Sequence, residues 1–448
     1  MKIVECMNAI VIVLFCAVLI GCVATGKSVI GALLIGLALF VLYGKYRGHS
    51  WKALWEMSLS GVKTVSNILI TFLFIGMLTA LWRASGCIAS IICYTSGFIT
   101  PAVFLLLTFL LCSGLSFLTG TSFGTAATIG VICMSIARTM QMDVFWIGGA
   151  ILSGAFFGDR CSPVSTSCLL VCDITKTDIY ENIRRMMRTA FVPFLCSCLI
   201  YLIAGFATRG SGGAVDVYGL FRPEFTIHPL CLLPAAVILI LAFLRVGVRK
   251  VMGASILTAL PIAIFLQHLP VTAALKTLIF GFHASDSQVA AVMDGGGILS
   301  MLRVACIVCI ASCYSGLFRG TGLLDFMEAG LKLLARKTHP FYSVLLTSVP
   351  ASAISCNQTL AIMLTHQLCE RLGLKKEYLA LYLEDTVVMI AALIPWSIAG
   401  TVPLDSIGAP VICLLGGVYL YLVPLWQGVV HLRRVWYNKE KRRKGAKP

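Results

Sequence analysis

Residues Ser153 to Ser167 read SGAFFGDRCSPVSTS. An apolar run, Val144 to Phe157, stops there at Gly158-Asp159-Arg160, and Pro163 follows among Ser162, Ser165, Thr166 and Ser167. An acid, a base, a helix breaker and several hydroxyls stand where a membrane helix should end or continue. In hydrocarbon such groups are costly, and broken backbone is tolerated only inside protein or beside a cavity. The stretch therefore predicts a site for a small polar or ionic substrate.

The rest of the chain supplies the membrane setting. Of its 448 residues, 59% are hydrophobic and 12% charged, against about 25% charged in a soluble domain. This predicts an all-α polytopic, multi-pass membrane protein with the lipid bilayer as its main partner. At about 20 residues per span, the apolar stretches allow roughly ten to twelve crossings, some of them short or re-entrant. The net charge is +16. Arg433, Arg434, Lys439, Lys441, Arg442, Arg443, Lys444 and Lys447 against Glu440 give +7 of it (8 − 1). That tail reads as a cytoplasmic positive-inside signal and not as a nucleic-acid patch. The 19 cysteines fall mostly in apolar runs. Cys306-x-x-Cys309-x-x-x-Cys313 lacks supporting His or Asp, so these cysteines read as packing residues without metal or disulfide. The opening residues resemble a signal peptide, but a second apolar run follows at once, which favours an uncleaved first helix.

Five sections follow from the punctuation. Residues 1–63 form a helical hairpin and an interfacial loop carrying Lys45, Arg47, Trp51, Lys52, Trp55 and Lys63. Residues 64–208 are a first broken section, with polar loop character from Asp173 to Arg188. Residues 209–298 are linking spans and an exposed loop from His283 to Gly297. Residues 299–427 are a second broken section, and 428–448 the basic tail. The second section echoes the first: Leu81-Trp82-Arg83-Ala84-Ser85-Gly86 matches Leu317-Phe318-Arg319-Gly320-Thr321-Gly322 at an offset of 236 (317 − 81). At that offset Thr121-Ser122 falls on Asn357-Gln358. Asp159 has a rough counterpart in Glu384-Asp385, about ten residues out of register. Two halves with matching helix breaks are the pattern of secondary transporters, with the substrate between the halves near the midplane.

Asp159 is the leading site residue. A carboxylate there ligates a hard cation such as Na+ through oxygen, or takes up a proton, and that competition is a simple route to antiport. The bland alternative pairs it with Arg160. Glu384 and Asp385 point about 100° apart on a helix, so one can face the site and the other an interface. Thr121, Ser122, Ser162, Ser165, Thr166, Asn357, Gln358, Thr359 and Ser397 offer further neutral oxygens and amides. Arg83 and Arg319 read as snorkelling to the interface. Gly120-Thr-Ser122-Phe-Gly124 fits a serine-nucleophile pattern, but that pattern needs a strand, turn and helix, and His268, His283 and His366 lie at loop-like boundaries. The chain is therefore read as a transporter and not an enzyme, with no cofactor beyond transported Na+ and H+.

These motifs carry a resemblance. Gly154-Ala-Phe-Phe-Gly-Asp159-Arg-Cys-Ser162-Pro163 resembles the G-A-F-F-G-D-K-x-S-P signature of the NhaC Na+/H+ antiporter family. Gly120-Thr-Ser-Phe-Gly-Thr125 and Leu383-Glu-Asp385 with Leu393-Ile-Pro-Trp396 are similar to its other two segments. The resemblance implies an inverted-repeat fold with two re-entrant hairpins, a homodimer, and Na+/H+ exchange across the plasma membrane (the inner membrane of a bacterium). It also implies a site around Thr121, Ser122, Asp159, Ser162, Asn357, Gln358, Glu384 and Asp385. The chain departs from the family at Arg160, where Lys is usual, and at Ser165-Thr-Ser-Cys168, where an acid is usual. Relatives that carry organic acids or amino acids keep a second substrate class open.

Overall fold

A computed structural model describes residues 29–95, 100–207, 217–323 and 339–445 apart from isolated positions, together with parts of 10–22. Among the described residues the chain is helical, with one isolated bridge between Phe282 and Gly295. This is an all-α polytopic membrane protein. Among the described residues four helices are long and apolar enough to cross a bilayer: Ala102–Thr119, Ile179–Ala207, Arg249–Leu266 and Ile298–Phe318. A bent pair, Leu69–Ala84 and Cys87–Tyr94 at 59° to each other, has the combined length and apolarity of a fifth as a broken span or a re-entrant loop. Four shorter apolar helices accompany them. The expected short and re-entrant crossings correspond to these shorter and broken helices, because the helices carrying the polar stretches are interrupted.

The interruptions come in matched pairs. Helix Pro101–Thr119 ends at Gly120, which is left-handed (φ 65, ψ 27) and donates its N–H to the Ser116 carbonyl. Helix Pro340–Ser355 ends in the same way at Cys356 (φ 52, ψ 10), with its N–H on the Ser352 carbonyl. The offset is 236, the one read from the sequence. A left-handed residue after the last turn is a common helix stop. After the first stop, Thr121 caps Ser122–Thr125, and a π-turn follows at Ala126–Gly130.

The second pair has a different register. Helix Val144–Cys161 stops before Ser162-Pro163, and the Ser165 hydroxyl caps Thr166–Thr175 by accepting from the N–H groups of Ser167 and Cys168. Helix Val387–Leu393 stops before Ile394-Pro395-Trp396, and the Ser397 hydroxyl caps Ile398–Ser406 by accepting from the Ala399 N–H. Both prolines and both capping serines are 232 apart (395 − 163 and 397 − 165). At that offset Asp159 falls on Ala391, which corrects its pairing with Glu384-Asp385. Those two acids close helix Lys376–Asp385, at a kink centred on Thr386 (φ −122, ψ −81). Among the described residues the kink at Thr386 has no counterpart in the first section.

Other expectations change with packing. The interfacial loop of residues 45–63 is largely helix Trp51–Thr64. It buries Leu54 and lies so close to helix Leu302–Thr321 that a Cβ on Gly61 would sit 1.9 Å from the Ser312 carbonyl oxygen. Trp51 and Trp55 stay exposed, and the Lys45 ammonium lies 5.5 Å from the Trp51 ring centre, as an interfacial anchor requires. A second core cluster joins these helices to the chain: Phe15, Phe40, Tyr314 and Phe318 meet largely edge to face. Most of the expected polar loop at residues 173–188 is the first part of helix Ile179–Ala207, because its charged face is exposed while Asn182 and Met186 are buried. The loop of residues 283–297 folds back onto the chain, with the Gly297 N–H donating to the Gly76 carbonyl. Arg83 does not snorkel outward. It is 6% exposed and donates to the Thr79 carbonyl of its own helix at 3.0 Å. The Arg319 side chain and the basic tail from Arg433 lie outside the side chains described.

Candidate cation-binding site

All four matched breaks open onto one cavity of about 1410 Å³. Gly120, Thr121, Ser122 and Phe123 line it from the first break, and Asp159, Pro163 and Thr166 from the second. Asn357, Gln358 and Thr359 line it from the third, and Ile398 and Ala399 from the fourth. The facing wall holds Ile70, Thr71, Phe74, Leu257, Arg249 and Lys250. Helix ends leave backbone amides and carbonyls without helical partners, so a cavity built from breaks offers polar groups inside an apolar body.

Asp159 is the acid in that lining, and it is 3% exposed. Its Oδ2 accepts from Gln358 Nε2 at 3.0 Å and lies 3.2 Å from Ser167 Oγ. Its Oδ1 lies 3.4 Å from Ser165 Oγ, whose hydroxyl also meets the Asp159 carbonyl. Gln358 Oε1 is 3.0 Å from the same Ser167 hydroxyl, and Gln358 Nε2 also reaches the Val388 carbonyl at 3.2 Å. Ser167 has one hydroxyl proton, so it donates to Asp159 or to Gln358 at one time. Neutral donors orient and stabilise a carboxylate without supplying the positive charge that an ion would bring. Among the described residues Asp159 has no ion pair.

Arg160 does not pair with its neighbour. Adjacent helix positions point about 100° apart, and Arg160 turns away from the cavity into protein, where it is fully buried. Its Nη2 donates to Asp385 Oδ1 and, at 2.7 Å, to Thr189 Oγ1. Its Nη1 lies 3.2 Å from Tyr419 Oη. Thr189 Oγ1 is also 3.1 Å from Asp385 Oδ1.

The remaining expected residues separate by position. The Thr121 hydroxyl caps its short helix by accepting from the Gly124 N–H at 3.3 Å. The Asn357 Oδ1 does the same for the Thr359 N–H at 2.9 Å. Ser122 is buried at the cavity, while Thr166 and Thr359 are exposed to it. Ser162 and Ser397 are buried behind the lining, as parts of the two proline turns. Glu384 is fully buried outside the lining, and both of its carboxyl oxygens lack a hydrogen-bond partner among the described residues. Reading the sequence alone counted Ser167 among the hydroxyls of this stretch but not among the site residues. The cap at Ser165 was the available signal, because it starts a helix whose second residue turns back towards Asp159.

Substituting Gln358 by Leu removes one of the hydrogen bonds that hold Asp159. A hydrogen bond to a charged group contributes about 1.5–3 kcal/mol, so the half-saturating cation concentration should rise about tenfold or more. Initial rates of exchange in vesicles measure this, and an unchanged value would place Gln358 outside the site.

A family model described as the Na+/H+ antiporter family matches residues 1–173 and 154–409. The chain belongs to this family. It is accordingly a membrane transporter and not an enzyme, and Gly120-Thr-Ser122-Phe-Gly124 forms a helix stop and cap with no strand. Among its relatives is a malate-2H+/Na+-lactate antiporter of Bacillus subtilis, 26% identical over 433 residues that cover 92% of both chains. A Na+/H+ antiporter NhaC of the same organism is 28% identical over 391 residues, 84% of this chain and 86% of that one. An arginine/ornithine antiporter of Halobacterium salinarum is 26% identical over 411 residues, 88% of this chain and 84% of that one. Both matched ranges of the family model include Gly154 to Pro163, the helix end that carries Asp159 to the cavity.

Proposed function

We propose that the chain exchanges Na+ for H+ at Asp159. The observation that carries this reading is a buried carboxylate on a polar cavity, held by neutral donors and without an ion pair among the described residues. One carboxylate neutralises either a proton or a cation well, but not both together, and exclusive occupancy is what exchange requires. Thr121, Ser122, Asn357 and Gln358 also line the cavity, and in this reading their side-chain oxygens are the further ligands of a hard cation. Residues 64–208 and 299–427 are the two repeats in this reading, which supports a site shared between them. The family resemblance supports a homodimer, which light scattering in detergent checks.

A second reading is favoured by the size and charge of the cavity. At about 1410 Å³ it exceeds the roughly 300–1,000 Å³ usual for small-molecule sites, and Arg249 and Lys250 line it with Asp159. A carboxylate or amino acid travelling with a cation would fit both charges. Reconstituted vesicles separate the readings. A sodium gradient alone is expected to drive proton flux. Flux that starts only after a carboxylate or amino acid is added would replace the first reading with the second.

A further inference from the structure

We infer that Asp385 serves the cation site through Arg160, by cancelling a positive charge that would otherwise face the cation bound at Asp159, and that Asp385 is not itself a ligand. The inference rests on the reading that the transported cation binds at Asp159. It adds a role for the buried pair that the exchange mechanism leaves unused.

Asp159 and Arg160 are neighbours in one helical turn, yet the first faces the cavity and the second is fully buried among other helices. A guanidinium beside a cation site would repel the cation, whichever way its side chain points. Two like charges within one or two turns of a helix, at an effective dielectric near 20, weaken binding on the order of tenfold to a hundredfold. Asp385, from a helix 225 positions along the chain, meets Arg160 with both side chains fully buried. Thr189 and Tyr419 complete the arrangement from two further helices. The pair is neutral as a unit, which takes the Arg160 charge out of the field at Asp159. Asp385 does not line the cavity, and its Oδ1 is taken by Arg160 and Thr189. The pair also ties the helix bearing Asp159 to the kinked second section, since charged partners in protein interiors favour one arrangement over others.

The test is a two-residue cycle in purified protein reconstituted in vesicles, read as the Na+ concentration for half-maximal exchange, with maximal rate and folded fraction measured separately. Asp385→Asn is expected to raise that concentration between about tenfold and a hundredfold, while Asp385→Glu stays near wild type. The double variant Arg160→Gln, Asp385→Asn removes both charges and is expected to return to within about threefold of wild type. A double variant that stays as weak as Asp385→Asn would make Asp385 a direct ligand and overturn the inference. Wild-type Na+ dependence in folded Asp385→Asn would make the pair purely structural and overturn it as well. Should Asp385→Asn fail to fold, the double variant alone decides: weak cation binding there overturns the inference, and near-normal binding supports it. Failure of the Asp159 reading is separate, because it shows as exchange that survives Asp159→Asn.

Discussion

Asp159→Asn is expected to abolish cation exchange while the protein still inserts and folds. Asn keeps the size of the side chain and an oxygen for the Gln358 and Ser167 donors, so the local packing survives. What it removes is the charge. A unit charge about 4 Å from a cation contributes on the order of 4 kcal/mol at an effective dielectric near 20, which corresponds to roughly a thousandfold in binding. Asn also cannot carry the exchanged proton. Both half-reactions therefore fail at one position. The measurement is proton flux driven by a sodium gradient in vesicles, beside the elution profile of the detergent-solubilised variant. Exchange at wild-type rates would remove Asp159 from the mechanism. The same variant separates the two substrate readings, since an organic acid held mainly by Arg249 and Lys250 should still compete for the cavity when Asp159 is neutral.

The helix stops were legible before the structure because they are local. Pro163 and Pro395 each stand just before a serine that caps a new helix, which marks a break locally, and Gly120 permits the left-handed turn that ends one. The Cys356 stop was visible only through the offset of 236, because cysteine gives no local sign of a positive φ. Asp159 was legible for the same local reason: an acid at an apolar helix end needs an explanation. Its partners were not. Gln358 is 199 positions away and Asp385 is 225 positions from Arg160, and nothing in hydrophobic periodicity pairs residues over such distances. The neighbour Arg160 therefore stood as the bland partner for Asp159, where helix rotation in fact sends the two side chains apart. The pairing of Asp159 with Glu384-Asp385 failed for a related reason. Sequence order aligned acid with acid, whereas the backbone aligns proline turn with proline turn.

Gly158 gives the stretch before Asp159 a packing role beside the acid, and Gly158→Ala is expected to damage the fold directly. Helix Val144–Cys161 lies against helix Pro101–Thr119 through Gly154 and Gly158, one turn apart. A Cβ on Gly158 would sit 2.0 Å from the Ser116 carbonyl carbon and 2.2 Å from the Phe117 nitrogen. Those are backbone atoms, which cannot rotate aside as a side-chain end can. The contact is tight enough for the Ser116 hydroxyl to reach the Ala155 carbonyl across it. In a membrane, where burying apolar surface from water does little between helices, such close approach of small residues is a main source of association. Adding the methyl forces the helices apart, loosens that hydrogen bond and shifts Asp159, the next residue. Overpacking usually costs about 1–3 kcal/mol, and a clash with backbone falls at the upper end or beyond. Thermal unfolding in detergent measures the loss, and exchange should fall with it. Gly114→Ala, on the partner helix at a position where a Cβ meets nothing within 4 Å, is the control. It should hold or gain stability, since Ala favours helix over Gly by up to about 1 kcal/mol. Equal stability of the two variants would show that the helix contact does not depend on Gly158.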